Sequence, residues 1–243
     1  MGERVAIITD IHGNSEALKA VLDDIERENI SHIYCLGDMV AIGHETNKVM
    51  ELLFSQENIS FVLGNHEESI LKIVNGVIND SDDIVQQHHE WIANNLDPKY
   101  IESLAMIPKR LEREIAGKKL LFVHYHLFEN NRFLPLDTEP TEQKLEKIYE
   151  NTDIDIVCFG HHHTIHHFKT ANRLYVNPGS LGCGHSPLAP YGIIEIGREG
   201  QINVQFKEVP YDNTGFLREI ERLKFPAYEF VLKNFHGNQH LHL

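Results

Sequence analysis

Strand-like apolar runs in this chain stop repeatedly on short polar clusters made of Asp, Asn, His and Gly. The first run, Val5 to Thr9, is apolar or β-branched throughout, as in a buried strand, and it ends in Asp10-Ile11-His12-Gly13-Asn14. His32 to Leu36 stops at Gly37-Asp38, and Ile59 to Leu63 stops at Gly64-Asn65-His66-Glu67. Lys119 to Val123 runs into His124-Tyr125-His126, and Asp155 to Phe159 runs into Gly160-His161-His162-His163. A carboxylate and an imidazole two residues apart contribute nothing to packing at a strand end. They do place oxygen and nitrogen donors at the carboxyl ends of strands, where an α/β sheet leaves its crevice.

Between these runs the periodicity changes. Glu16 to Glu28 carries Ala17, Leu18, Val21, Leu22 and Ile25 at the spacing of a half-buried helix, with Asn14 or Ser15 as its cap. A second helix, about Thr46 to Gln56, turns Val49, Leu52 and Leu53 inward. Up to Leu63 the order is β-α-β-α-β, which predicts parallel strands. Residues 67–107 read as a helical, cap-like insertion. There the polar stretch Asn79-Asp80-Ser81-Asp82-Asp83 caps a helix through Trp91 to Leu96, and Asp97-Pro98 opens a short one with proline in its first turn. Arg110 to Ile115 and Lys119 to Val123 then form a hairpin around Ala116-Gly117-Lys118, and Glu142 to Glu150 a charged helix. Ile165 to Thr170 with Leu174 to Val176, and the segment around Gly197 to Gly200, read as further hairpins. Late strands without long helices between them predict a second, largely antiparallel sheet. Residues 213–235 form a helical tail broken at Pro226, and His236 to Leu243 is expected to fray. No linker divides the sequence, so residues 1–243 are expected to form a single domain.

The 36 acidic against 22 basic residues give a formal charge of −14, which disfavours long nucleic acids, since their binding depends on neutralising phosphates with Lys and Arg. A small phosphorylated substrate remains compatible where a bound metal dominates the local field. Cys35 and Cys158 sit inside apolar runs and read as small buried hydrophobes in a reducing compartment; Cys183 lies in a Gly-rich loop. No stretch is long and apolar enough for a membrane span, and no signal peptide precedes the first strand, so a cytoplasmic location is expected.

The polar clusters together supply Asp10, His12, Asp38, Asn65, His66, His124, His161 and His163. Mixed imidazole and carboxylate donors suit Mn, Fe, Zn or Ni, and no thiolate set exists for a structural zinc. Leaving His66 aside, the set is too large for one catalytic metal and about right for two that share a carboxylate. Gly160 favours His161 and His163 over His162 as donors; His162, His166 and His167 read as surface or strand residues.

Asp10-x-His12, Gly37-Asp38, Gly64-Asn65-His66-Glu67, His124 and Gly160-His161-x-His163 resemble, block by block and in order, the calcineurin-like metallophosphoesterase superfamily. Asn177-Pro178-Gly179-Ser180 is similar to a loop of its small bacterial and archaeal phosphodiesterase branch. The resemblance implies a four-layer α-β-β-α sandwich of two mixed β-sheets. It implies two divalent ions, Mn or Fe above Zn or Ni, that clamp a phosphoester and acidify a bridging water. It puts Asp10, His12 and His163 on one ion, Asn65, His124 and His161 on the other, and Asp38 between them. His66 then faces the substrate as general acid.

Two departures bear on substrate. Serine/threonine phosphoprotein phosphatases of this superfamily have Gly-Asp-x-x-Asp-Arg-Gly in the second block, where this chain has Gly37-Asp38-Met39-Val40-Ala41-Ile42-Gly43. The acid-orienting carboxylate is thus Ala41 and the phosphate-clamping arginine is Ile42. The fourth block usually reads His-Gly, but here Tyr125 and His126 follow, either narrowing the site or facing solvent. The expected activity is hydrolysis of phosphodiesters or nucleotide polyphosphates, dinucleoside polyphosphates among them. The alternatives are a phosphoprotein phosphatase and a non-catalytic scaffold of the same fold, as in the retromer subunit of this superfamily.

Overall fold

The computed structural model describes residues 2–77 and 83–243. In chain order these form β1 (Glu3–Ile8), α1 (Ser15–Ile25), β2 (His32–Cys35), α2 (Thr46–Phe54), β3 (Ile59–Phe61), α3 (Asn65–Val74), α4 (Ile84–Asn95), α5 (Ile101–Ala105), β4 (Arg110–Ile115) and β5 (Lys118–Val123). They continue with α6 (Glu142–Tyr149), β6 (Ile156–Cys158), β7 (Ile165–Lys169), β8 (Leu174–Pro178), β9 (Leu188–Ile196), β10 (Ile202–Pro210), α7 (Thr214–Leu223) and α8 (Tyr228–Asn234). Residues 79–82 of the expected capping stretch lie outside the described residues. Asp83, its last member, caps α4 by accepting from the Val85 amide. Asn14 caps α1, accepting from the amide of Ala17.

The strands make two five-stranded sheets, ordered β10-β9-β1-β2-β3 and β4-β5-β6-β8-β7. Side-chain alternation packs them face to face. Val5, Ile7, Tyr34 and Leu36 of the first sheet meet Leu120, Phe122, Ile156 and Cys158 of the second. Their neighbours Ala6, Ile8, Ile33 and Cys35 point the other way, onto Leu18, Val21, Val49 and Leu53 of α1 and α2. Leu121, Val123, Val157 and Phe159 likewise turn outward onto Leu145 and Tyr149 of α6. The result is a four-layer α-β-β-α sandwich of two mixed sheets.

Two expectations need correction. The second sheet is parallel at its centre, β5 with β6 and β6 with β8. The helix α6 carries the crossover from β5 to β6, and β7 takes the outer edge so that β8 can return beside β6. The last hairpin, β9–β10, joins the first sheet against β1, because β9 is apolar on both faces and fills both cores. The segment after α8 does not fray. His236 is buried against the Phe216 ring, and Gln239 bonds both Asn213 and the Gly184 carbonyl. Among the described residues, no helix is long and apolar enough to cross a membrane.

Candidate metal centre

Parallel pairing continues past the ends of the strands and sets the polar clusters side by side. The amides of Asp10, His12 and Gly13 donate to the carbonyls of Gly37, Asp38 and Met39, at 3.1, 3.0 and 3.0 Å. In the second sheet the Gly160 amide donates to the His124 carbonyl at 2.8 Å. The two loop systems then meet: the His161 amide donates to Oδ2 of Asp10, and Nδ1 of His124 to the Leu36 carbonyl, both at 2.9 Å. Asp10, His12, Asp38, His161 and His163 all adopt positive φ, between 49° and 70°. That conformation is costly for side chains with a Cβ and collects at functional sites. Gly64 and Gly160 permit the closure, since a Cβ on either would lie 2.2 Å from Oδ1 of Asp38 or 2.1 Å from Oγ1 of Thr9.

Three donors converge on one side. Nε2 of His12 lies 2.9 Å from Nε2 of His163, and Oδ1 of Asp10 stands 3.7 and 3.4 Å from these two nitrogens. The other carboxylate oxygen of Asp10 is satisfied by the Thr9 hydroxyl and the His161 amide. Oδ1 is fully buried and has no hydrogen-bond partner. Such an oxygen, aimed between two imidazole nitrogens, fits a cation position. On the other side Nε2 of His124 has Asn65 Oδ1 at 2.9 Å, Asp38 Oδ2 at 3.1 Å and His161 Nδ1 at 3.2 Å. The Leu36 carbonyl takes the Nδ1 proton of His124 and the Val40 carbonyl faces Nδ1 of His12, which leaves each Nε2 lone pair for a ligand. Asp38 belongs to both neighbourhoods: its carboxylate groups with His12 and His66 and also with His124 and His161. The donors are oxygen and imidazole nitrogen, so the residues present fit two divalent cations.

Burial alone would raise both carboxyls, but the surrounding imidazoles hold Asp10 and Asp38 well below the usual carboxylate range. Burial also opposes charge on His124, yet Asp38 outweighs it and lifts the imidazole to about 9, so a cation entering here displaces the Nε2 proton. Burial pushes His66 down to about 3 and His161 to about 4.

Asn65 and His66 occupy the first turn of α3, directly on the helix start, and the His66 amide donates to Oδ1 of Asp38. Glu67, the last residue of the same cluster, is the clamp beneath them. Its buried carboxylate accepts from the amides of Gly64, Asp38, Met39 and Val40, stapling the third cluster to the second. Burial and the nearby Asp38 carboxylate push Glu67 up to about 7, against the backbone donors that favour its charge. The Asn177-Pro178-Gly179-Ser180 loop braces the site from the other side. Asn177 donates to the Gly160 carbonyl and Ser180 to that of Asp10, both at 2.7 Å.

Tyr125 and His126 are buried, not solvent-facing: the Tyr125 ring packs 4.8 Å from that of His161, and His126 bonds the Tyr149 hydroxyl. His162 turns away from the donors, toward His166 and the Tyr125 hydroxyl. Sequence reasoning gives no site role to Cys183, whose sulfur groups with His12 and His163, or to His89 of α4, 2.6 Å from Nδ1 of His66. Neither lies in a recognisable motif. Beside the site, Phe133 meets the His124 ring edge-on at 6.0 Å and carries Lys109 over its face, and Phe235 lies 5.6 Å from the His163 ring.

Residues 4–199 match the model of the calcineurin-like phosphoesterase superfamily domain. An uncharacterised protein of Methanocaldococcus jannaschii is 29% identical over 239 residues, covering 95% of this chain and 92% of its own. A hypothetical protein from Pyrococcus horikoshii has a similar structure, with a TM-score of 0.77 at 22% identity, over 96% of this chain and 98% of that one. So does a metallophosphoesterase from Sphaerobacter thermophilus, with a TM-score of 0.73 at 21% identity, over 95% and 97%.

Proposed function

The chain belongs to the calcineurin-like phosphoesterase superfamily, and from that premise we propose that it is a dinuclear-metal-dependent hydrolase of phosphodiesters or nucleotide polyphosphates. The observation that carries the reading is the pair of donor sets flanking Asp38, with an unpartnered buried oxygen of Asp10 in one of them. In this reading Asp10, His12 and His163 hold one cation, Asn65, His124 and His161 the other, and Asp38 both. Mn, Fe, Zn or Ni suits these donors, and Mn or Fe is the identity we assign. Two bound cations would neutralise charge on a phosphoryl group and acidify a water for in-line attack.

The protein's own residues do the rest. Asp10 and Asp38 bring two negative charges, so a site holding two divalent cations stays positive and attracts an anion. His66 turns Nε2 toward the shared carboxylate, 3.9 Å from Oδ2 of Asp38, and stands where a leaving oxygen can take its proton. Burial keeps that imidazole neutral in the free protein. The negative charge of a phosphoester set against it raises its affinity for the proton it then delivers.

Substrate class follows from what surrounds the second block. An arginine fork grips a terminal phosphate dianion through two bonds, so its absence weakens monoester recognition most. Here Ala41 and Ile42 are buried, and the Ile42 amide is bonded to His88 of the insertion. Phe133 is the aromatic ring we assign to the base of a nucleotide; it lies beside His124, with Lys109, itself paired with Glu68, over one face. The partner we assign is therefore a compact phosphorylated molecule in the cytoplasm. Kinetics with Mn on a nitrophenyl phosphodiester, a cyclic nucleotide, diadenosine tetraphosphate and a phosphopeptide test this. Higher kcat/KM is expected for the diesters and the polyphosphate. A clear preference for phosphoserine peptides would overturn the substrate class.

A further inference from the structure

The insertion helix α4 presents two adjacent histidines to the second and third polar clusters. Nε2 of His88 accepts from the Ile42 amide at 2.9 Å, and its Nδ1 donates to the Pro226 carbonyl at 3.1 Å. His89 takes a different partner: its Nε2 lies 2.6 Å from Nδ1 of His66, with the ring centroids 4.9 Å apart. His66 is thus gripped at Nδ1 while its Nε2 points to the shared carboxylate. Packing does not require that contact. The helix is already seated by His88, by Trp91 stacked at 5.1 Å on Phe225, and by Ile92 in the core. The position that carries an acid-orienting carboxylate in phosphoprotein phosphatases is Ala41, which has no polar side-chain atom to offer.

We propose that His89 is the positioning residue of His66, holding its ring by Nδ1 so that Nε2 faces the leaving oxygen. This rests on the reading of His66 as the acid given above. In its acid form His66 carries a proton on each nitrogen. As the P–O bond breaks, the Nε2 proton passes to the leaving oxygen, and the Nδ1 proton stays bonded to the Nε2 lone pair of His89. The ring left behind is neutral. His89 has to be neutral as well, with its own proton on Nδ1, and burial lowers its pKa in that direction. A ring without this partner still occupies the site but rotates about χ2, so Nε2 spends part of its time misdirected.

The test uses the full chain loaded with Mn and a cyclic nucleotide, whose alkoxide leaving group needs a proton. Metal content and thermal midpoint are measured on every variant. His89→Ala is expected to lower kcat by about 10- to 100-fold, part of what an acid contributes, with KM and metal content unchanged. His89→Gln, whose amide reaches the position of Nε2, recovers most of the rate. In a His66→Ala background His89→Ala should cost nothing further, as befits a residue that acts through another. An equal loss in that background, or His89→Gln as slow as His89→Ala at the same thermal midpoint, would overturn the positioning role. Full kcat in His66→Ala alone would instead remove the acid role of His66 itself. Loss in His66→Ala with none in His89→Ala would remove only the part given to His89.

Discussion

Asp38→Asn is expected to yield a folded protein that holds neither cation and shows no measurable turnover. Among the described residues, Asp38 is the one carboxylate grouped with donors on both sides, with Oδ2 at 3.1 Å from Nε2 of His124 and 3.9 Å from Nε2 of His66. An asparagine keeps an oxygen for the His66 amide, which now donates to Oδ1 at 3.0 Å, so the start of α3 should hold. It replaces the negative Oδ2 with an amide group that cannot ligate as a carboxylate does. Losing a residue that merely orients a ligand costs about 10- to 100-fold in metal affinity. A shared ligand should cost each position at least that much. Elemental analysis after dialysis, with a thermal midpoint measured alongside, checks the result. Loss of one ion with retention of the other would show that Asp38 serves a single position.

His66→Ala has the opposite signature. The side chain is half-buried at the first turn of α3, and none of the donors set around Nε2 of His124 comes from it. Its removal is expected to leave metal content intact and to lower kcat by about 10²–10⁴-fold, the usual contribution of a placed acid. The deficit shrinks for a nitrophenyl diester, because nitrophenolate leaves without a proton, and stays large for a cyclic nucleotide, whose leaving group is an alkoxide. Parallel kinetics on the two substrates decide the matter. Metal loss in His66→Ala would make the residue a ligand, and an equal deficit on both substrates would take proton donation from it.

Much of this architecture was legible because a strand buried on both faces has an unmistakable composition. Val5 to Ile8, Tyr34 to Leu36 and Leu120 to Val123 admit no polar residue, so Asp10, Asp38 and His124 stand out at their ends. The topology of the second sheet was harder to read. Parallel pairing of β6 with β8 is reached through a strand, β7, whereas the sequence rule looks for a helix between parallel strands. The tail misled for another reason: His236 is polar in composition but is covered by Phe216, a contact 20 residues away in sequence that no local pattern announces. His89 was invisible for the same cause. It sits in α4, a helix of mixed polar and apolar residues, and only the fold brings it to His66. Glu67 was quoted with its motif, yet its task of gathering four backbone amides from two loops needs the loops to be in place.

Anomalous diffraction from crystals of the Mn-loaded protein decides whether a pair of cations shares Asp38. The expected result is two ions within about 4 Å of each other, both touching Asp38, with Asp10, His12 and His163 on one and Asn65, His124 and His161 on the other. A single ion, or ions held by His162 in place of His161 or His163, would contradict it.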